Sequence, residues 1–169
     1  MVQGTGGVSI FSLQFAKALG TRVIVTSSSD EKLKRATKLG ADVAINYKTD
    51  PEWWQTGKAA TDGIGVDQVI DVGGQDTLNQ SVRALQPGGF IAVVGVLTGR
   101  DCKFDILTFL MRNARLESLT VGSRQSFEEM NLFLTEHELR PVVDTVFSWS
   151  KTADAFRELE AGKHFGKLY

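Results

Sequence analysis

The chain has 169 residues, 42% of them hydrophobic, which is enough for one domain with a buried core. Its 19 basic and 20 acidic residues leave a formal charge of −1, which argues against nucleic acid as a partner. No apolar run is long enough to cross a bilayer, so we expect no membrane segment. The single cysteine, Cys102, fits a reducing cytoplasm, and with two histidines, His137 and His164, it is too little for a zinc cluster.

A glycine-rich turn comes first along the chain, after a short apolar strand at residues 1–3. It has the pattern G-x-G-x-x-S, in which Gly4 permits the tight turn, Gly6 lets backbone approach a pyrophosphate, and Ser9 is small enough for close helix–strand packing. An amphipathic helix at about 7–19 follows at once, so its positive end and free N–H groups face the turn. Alone, such a turn is weak support for nucleotide binding, because most glycine turns only redirect the chain.

Strands and helices alternate through the rest of the chain. Further strands are predicted at 22–26, 43–46, 66–72, 90–94 and 115–121, and helices at about 31–39, 51–58, 76–85, 105–112 and from 126 onward. The second helix is expected to be capped from the run 27–30, three serines followed by Asp30, and later helices by Asp50, Asp76 and Ser126. A last unit has a strand at 142–147, a helix through residues 155–159, and the ending 162–169.

This alternation predicts an α/β fold of the doubly wound Rossmann type. Its six-stranded parallel sheet would have helices on both faces, the strand order 3-2-1-4-5-6, and a truncated first strand. Residues 1–140 would form the dinucleotide-binding domain. Ligands of this fold bind outside the carboxyl ends of the strands, where the glycine turn is expected to lie.

Five stretches carry a family resemblance, in the same order and across almost the whole chain. They are GTGGVS, VIVTSSSDEKLKRATKLGADVAINY, VIDVGG, QPGGFIAVVG and ADAFRELEAGKHFGK. With them the chain resembles the medium-chain dehydrogenase/reductase family. The similarity is to the cofactor-binding domain of its zinc-type alcohol dehydrogenase-like and quinone oxidoreductase-like branches.

The resemblance implies an NAD(P)-dependent oxidoreductase that transfers a hydride to or from an alcohol, aldehyde, ketone or quinone. This chain would be the cofactor-binding half, and the catalytic domain, with any zinc ligands, is expected to precede Met1. The resemblance also implies that residues 141–169 are a C-terminal return segment that would join this catalytic domain. No catalytic or metal-binding residue is therefore assigned here, and turnover by this chain alone stays open. The alternative is a stand-alone, non-catalytic nucleotide-binding or dimerisation module. Relatives pair through strand six, which predicts a homodimer through Arg115–Val121.

The cofactor is expected to be NADP(H) rather than NAD(H). NAD-preferring folds carry an acid at the end of strand two, and this strand instead ends in serines. Ser27, Ser28 and Lys32 would meet a 2′-phosphate through hydroxyl and ammonium donors. The alternative is that the serines only cap a helix and Lys32 is solvated. Tyr47 would approach the same phosphate by resemblance, with surface packing as an equal alternative.

The complete set of expected cofactor-binding residues extends along three more strand ends. The residues are Gly4, Thr5, Gly6, Gly7, Val8, Ser27, Ser28, Lys32, Tyr47, Gly73, Val94, Gly95, Val96, Val121, Gly122 and Ser123. Those from Gly73 onward come from their motif positions as neighbours of the ribose and nicotinamide. For each of these glycines taken singly, a strand-ending turn is an alternative to cofactor binding. For each valine taken singly, packing in the core is a better explanation than cofactor binding.

Overall fold

A computed structural model describes the whole chain, residues 1–169. Its main sheet has six parallel strands: β1 (Val2–Gln3), β2 (Ile24–Ser27), β3 (Val43–Asn46), β4 (Val66–Asp71), β5 (Leu85–Val93) and β6 (Arg115–Ser118). Six helices lie among and after them: α1 (Gly7–Ala18), α2 (Asp30–Lys38), α3 (Trp53–Ala59), α4 (Leu78–Ala84), α5 (Ile106–Met111) and α6 (Arg124–Glu136). No helix has the length and apolar character that a membrane crossing requires.

The strand order is β3-β2-β1-β4-β5-β6, which confirms the predicted doubly wound sheet. The first strand is short, as expected. Val2 pairs with Val25 of β2 on one side and with Ile70 of β4 on the other. The order therefore reverses at β1, and the glycine turn that follows lies at the switch point where such folds bind ligands.

Two apolar clusters cover the two faces of the sheet. One joins α1 and α2 to the sheet through residues such as Ile10, Leu13 and Val25. The other joins α3 and α4 to it through residues such as Trp53 and Val82. Because side chains alternate along a strand, neighbouring residues of β2 enter opposite clusters, and the sheet is buried on both faces.

The last 30 residues return to the glycine turn. They contain β7 (Val143–Thr145), a helix α7 (Thr152–Glu160) and β8 (Lys167–Leu168), and β7 pairs with β8 in a small parallel sheet. Just before β8, Gly166 forms a parallel bridge with Gly6 and donates its N–H to the Thr5 carbonyl at 2.8 Å. Residues more than 150 positions apart therefore form one surface.

Three of the expected helix caps, Asp50, Asp76 and Ser126, are wrong, and for α2 the cap is one of the four expected residues. Helix α6 begins at Arg124, and its cap is Ser123, whose Oγ accepts the Ser126 N–H at 3.1 Å. Helix α2 is capped by Ser29, and Asp30 instead accepts from the Asn46 amide. The cap positions of α3 and α4 are Glu52 and Thr77, in place of Asp50 and Asp76. Ser29 and Ser123 have the extended backbone that a capping side chain requires, whereas Glu52 and Thr77 make no capping hydrogen bond with their side chains.

The sixth strand is shorter than expected. It ends at Ser118 instead of Val121, because its only partner strand ends at Val93, which pairs with Ser118. One further backbone bond, from the Leu119 N–H to the Val93 carbonyl at 2.9 Å, closes the ladder. The sheet edge that β6 forms is therefore four residues long.

Candidate functional site

The glycine turn has the geometry of a phosphate-binding loop. Gly4 has φ +71°, a conformation that favours glycine, and its N–H donates to the Thr26 carbonyl at 2.8 Å. Ser9 is buried, and its Oγ donates to the Gln3 carbonyl at 2.7 Å, which draws α1 onto the strand. The first N–H groups of α1 have no partners within the helix, so they and the positive helix end face the space above the turn.

A groove of about 660 Å³ lies over this turn, along the carboxyl ends of the strands. Eleven of the 16 expected cofactor-binding residues line it: Gly4, Thr5, Gly6, Gly7, Val8, Ser27, Ser28, Lys32, Tyr47, Val94 and Gly95. The tertiary structure thus brings together residues from the ends of β1, β2, β3 and β5 with the start of α2.

The wall at the end of β2 is polar and carries a cation. Ser27 is buried, Ser28 is half-buried, and Tyr47 on the adjacent strand end is 42% exposed. Lys32 extends from the first turn of α2, and its Nζ donates to the Gly162 carbonyl at 2.6 Å. Burial lowers the pKa of Lys32, with the nearby carboxylate of Asp144 opposing this effect. An ammonium has three donors, so it can bind both this carbonyl and a ligand.

A fully buried carboxylate organises the end of β4, where the next residue, Val72, lines the groove. Asp71, at the end of β4, accepts the N–H groups of Gly73 and Gly74 at 3.1 and 2.9 Å. It also accepts hydrogen bonds from the side chains of Gln3, Thr77 and Ser81 at 3.1, 2.7 and 2.6 Å. Because Gln3 directly precedes the glycine turn, this network ties the end of β4 to the turn.

The expected residues outside the groove are Gly73, Val96, Val121, Gly122 and Ser123. Gly73 is buried under the Asp71 network, and a Cβ there would meet Thr77 at 2.5 Å. The three residues at 121–123 follow β6, are exposed, and end in the Ser123 cap of α6. Their role in cofactor binding stays a prediction.

The C-terminal return forms a wall of the groove that sequence reasoning missed. It contributes Leu159, Glu160, Gly162 and His164. Lys167 lies next to it, with its Nζ 2.7 Å from where a Cβ on Gly7 would stand. This places a second cation beside the start of α1. Local patterns gave no signal for these residues, because contacts between residues far apart in the chain bring them to the groove, namely the Gly6–Gly166 bridge and the Lys32–Gly162 hydrogen bond.

A second hollow of about 500 Å³ lies at the opposite, amino edge of the sheet. Its lining includes Met1, Arg22, Val66 and Asp67, and it contains no glycine turn. Parallel α/β sheets bind ligands at their carboxyl edge, so we assign the candidate site to the larger groove over the turn.

Comparison with known proteins decides the family. Residues 7–136 match the zinc-binding dehydrogenase family. The chain belongs to this family. The match confirms the resemblance to medium-chain dehydrogenase/reductases, because its relatives and structural neighbours are alcohol dehydrogenases and quinone oxidoreductases of that group.

Two relatives illustrate how much of the family's length is present. The chain is 41% identical to a zinc-type alcohol dehydrogenase-like protein of Schizosaccharomyces pombe, with 99% of this chain and 50% of the relative covered. It is 33% identical to an alcohol dehydrogenase of Geobacillus stearothermophilus, with coverage of 99% and 48%. The chain therefore spans about half the length of the relatives it matches.

Solved structures agree with the fold. An NAD-dependent alcohol dehydrogenase superposes with a TM-score of 0.90 at 34% identity, over 99% of this chain and 49% of the other. A mycobacterial protein solved in complex with NADPH superposes with a TM-score of 0.80 at 27% identity, over 99% and 56%. These neighbours bind different nicotinamide cofactors, so they do not decide between NAD(H) and NADP(H) for this family member.

The family name implies zinc, and the residues of this chain do not fit such a site. Zinc sites in proteins use three or four Cys, His, Asp or Glu ligands. No three such side chains come together in a group that could hold a metal ion. We therefore assign no metal-dependent chemistry to the residues of this chain.

Proposed function

We propose that this chain binds a nicotinamide dinucleotide in the groove over the glycine turn. It would be the cofactor-binding part of an oxidoreductase that transfers a hydride to or from an alcohol, aldehyde, ketone or quinone. Family membership, the position of the groove at the switch point and the coverage of half of the relatives' length all support this proposal.

The open space above Gly6 is the observation that carries the proposal. This residue has φ −77° and ψ −175°, an extended conformation that any residue adopts. No neighbouring atom lies within 4 Å of where a Cβ on Gly6 would stand. The fold alone therefore does not require glycine here, whereas a phosphate that approaches the backbone does.

Positive charge around this open space suits a pyrophosphate. The first N–H groups of α1 and its positive end face the turn, and Lys167 lies beside Gly7. The nicotinamide would extend toward Val94 and Gly95, at the end of β5. When bound, the nicotinamide supplies the hydride chemistry, and this chain binds and orients the dinucleotide so that its reactive face is turned to the substrate.

The cofactor we propose is NADP(H) in preference to NAD(H). The groove has no acid at the end of β2, and Ser27, Ser28 and Lys32 are positioned there instead. Hydroxyl and ammonium donors suit a 2′-phosphate, whereas a ribose 2′-hydroxyl is usually bound by an acid at this place. Tyr47 lines the same end of the groove and would add a phenolic donor.

Two further proposals concern the organisation of the protein. We propose that residues 1–140 are the dinucleotide-binding domain, and that residues 141–169 both complete its groove and connect it to a catalytic domain. We also propose a homodimer through the β6 edge, since all four residues of this strand are exposed. A cytoplasmic location would keep Cys102, which is a free thiol, reduced.

Substitution of Gly6 tests the proposed function. Isothermal titration with NADPH and NADH should give saturable binding to the wild-type chain. Ligand at about one hundred times its Kd should raise the unfolding free energy by about 2.7 kcal/mol. The variant Gly6→Ala should change unliganded stability by no more than about 0.5 kcal/mol. It should weaken binding at least tenfold, because its methyl group fills the phosphate position.

The comparison variant Gly4→Ala separates folding from binding. Its positive φ should make the substitution cost about 1 kcal/mol or more in unfolding free energy. Wild-type affinity in Gly6→Ala, or no nucleotide binding by the wild type, would refute the proposal. Binding without turnover on a panel of carbonyl and quinone substrates would favour the non-catalytic module.

A further inference from the structure

The segment Gly162–Gly166 crosses one side of the groove and is anchored at both ends. At one end the Gly162 carbonyl accepts from Lys32 Nζ at 2.6 Å. At the other end the Gly166 N–H donates to the Thr5 carbonyl at 2.8 Å, and Gly166 pairs with Gly6. The segment therefore runs from the residues proposed for the 2′-phosphate to those proposed for the pyrophosphate.

The middle of this segment is fixed from below. Phe165 is 1% exposed within the cluster under α1 and α2, and the Arg35 guanidinium lies 4.1 Å from its ring centre. Its N–H donates to Asp144 Oδ2 at 3.1 Å, and the other oxygen of Asp144 pairs with Arg35 at 2.7 Å. These contacts hold the backbone next to His164, the preceding residue, in place at the wall of the groove.

His164 carries a buried polar atom that nothing in the protein satisfies. Its Nδ1 is one of three buried side-chain nitrogen or oxygen atoms without a hydrogen-bond partner, the others being Oε1 of Gln14 and of Gln80. Of the three residues, only His164 lines the groove. Buried polar atoms in folded proteins are nearly always paired, so an unpaired one at a binding groove indicates a partner on the ligand.

We propose that His164 binds the adenosine side of the dinucleotide through a hydrogen bond between its imidazole and a ribose hydroxyl or phosphate oxygen. This proposal rests on the proposed function. The adenosine side follows from the ends of the segment, Lys32 and Gly6, since the nicotinamide end of the groove is formed by Val94, Gly95 and Leu97 instead. The imidazole provides both donor and acceptor chemistry, which suits a hydroxyl or a phosphate oxygen.

Imidazole nitrogen NMR tests the contact directly. The chain has only two histidines, so spectra of wild type and His137→Gln assign both rings. His137 is an internal control, because it lies at the end of α6 against the Phe133 ring, at 4.2 Å. ADP-ribose should shift the His164 nitrogen resonances and leave those of His137 unchanged. Nicotinamide mononucleotide, which lacks the adenosine side, should shift neither.

Binding measurements on two variants give an independent readout. His164→Phe keeps an aromatic ring without nitrogen atoms and should weaken ADP-ribose and NADPH binding about three- to tenfold, the effect of one hydrogen bond. His164→Asn retains polar atoms close to the position of Nδ1 and should restore most of this loss. Binding of nicotinamide mononucleotide should be the same in all three proteins.

The outcomes distinguish this inference from the proposed function. Nucleotide binding with unmoved His164 resonances, or with equal affinity in His164→Phe, refutes the role of His164 and leaves the groove as the nucleotide site. Absence of any nucleotide binding refutes both. If His164→Phe does not fold, the NMR spectra of the wild type and the affinity of His164→Asn still test the contact. A contact between His164 and the adenosine side requires its nitrogen resonances to shift in the wild type when ADP-ribose binds.

Discussion

The carboxylate of Asp71 has no contact with solvent, no cation beside it, and five hydrogen-bond donors around it. Asp71→Asn would place an amide N–H₂ where only acceptors fit, so donors would be left facing donors. We expect a loss of about 2–3 kcal/mol in the free energy of unfolding. Urea denaturation measures this loss. Asp67→Asn on the same strand, which is exposed, should stay within about 0.5 kcal/mol of wild type.

Lys32 is the residue on which the proposed cofactor choice depends most. Lys32→Ala should weaken NADPH binding about tenfold or more, because a charge-assisted bond to the 2′-phosphate is lost. NADH binding should change by less than about threefold, since NADH has no 2′-phosphate. Titration calorimetry with NADPH and NADH measures how much each affinity changes in the variant. Lys34→Ala, on the exposed side of the same helix, is the matched control, and an equal loss for both nucleotides would contradict the assignment.

Among the elements, the C-terminal segment depends on an ion pair between β7 and α2. Burial is the largest single influence on the pKa of Asp144 and raises it. The hydrogen bonds from the Arg35 guanidinium and the Phe165 N–H together outweigh burial and hold this pKa below its usual range. Because the folded-state pKa is below that of the unfolded chain, Asp144 stabilises the fold above about pH 4. It loses this contribution as the pH falls through the folded-state pKa.

Asp144→Asn tests this dependence. At pH 7 we expect a loss of about 1–2 kcal/mol in unfolding free energy, a modest value because Arg35 is 46% exposed and its charge is screened. The difference from wild type should shrink at about pH 3, because below about pH 4 the unfolded wild type binds a proton that the folded carboxylate takes up only at lower pH. Urea denaturation at the two pH values measures it. Asp154→Asn, on the surface of α7, should show no such difference, and a gap that widens in acid would contradict the argument.

Sequence patterns located these elements better than their ends. The strand order followed from alternation, because parallel strands joined by helices allow few arrangements. Helix caps did not follow, since several Ser and Asp residues near each helix start are chemically equivalent in sequence. Only the backbone conformation decides that Ser29 and Ser123 accept the N–H groups, with ψ angles of 122° and 170°.

For the whole molecule, the free edge of β6 is the feature that bears on assembly. All four residues of the strand are exposed, and Leu116 among them is 43% exposed. Leu119, which directly follows the strand, is 49% exposed. A two-fold axis would pair this edge with the same edge of a second chain. Sedimentation velocity should therefore show a dimer, and Leu116→Lys, which places a charge on the edge, should give a monomer with unchanged nucleotide affinity. A monomeric wild type at high concentration would refute the dimer.

The sequence by itself determined the sheet, its strand order and the glycine turn. These features follow from hydrophobic periodicity, the alternation of strands with helices and a G-x-G-x-x-S pattern, all of which depend on residues close together in the chain. It also indicated that Ser27, Ser28 and Lys32 belong to one site, since successive strand ends share an edge. Only the tertiary structure showed that the C-terminal segment forms a wall of the groove. Gly162, His164 and Lys167 reach the turn through a backbone bridge that spans 160 positions, and no local pattern encodes a contact made at that separation.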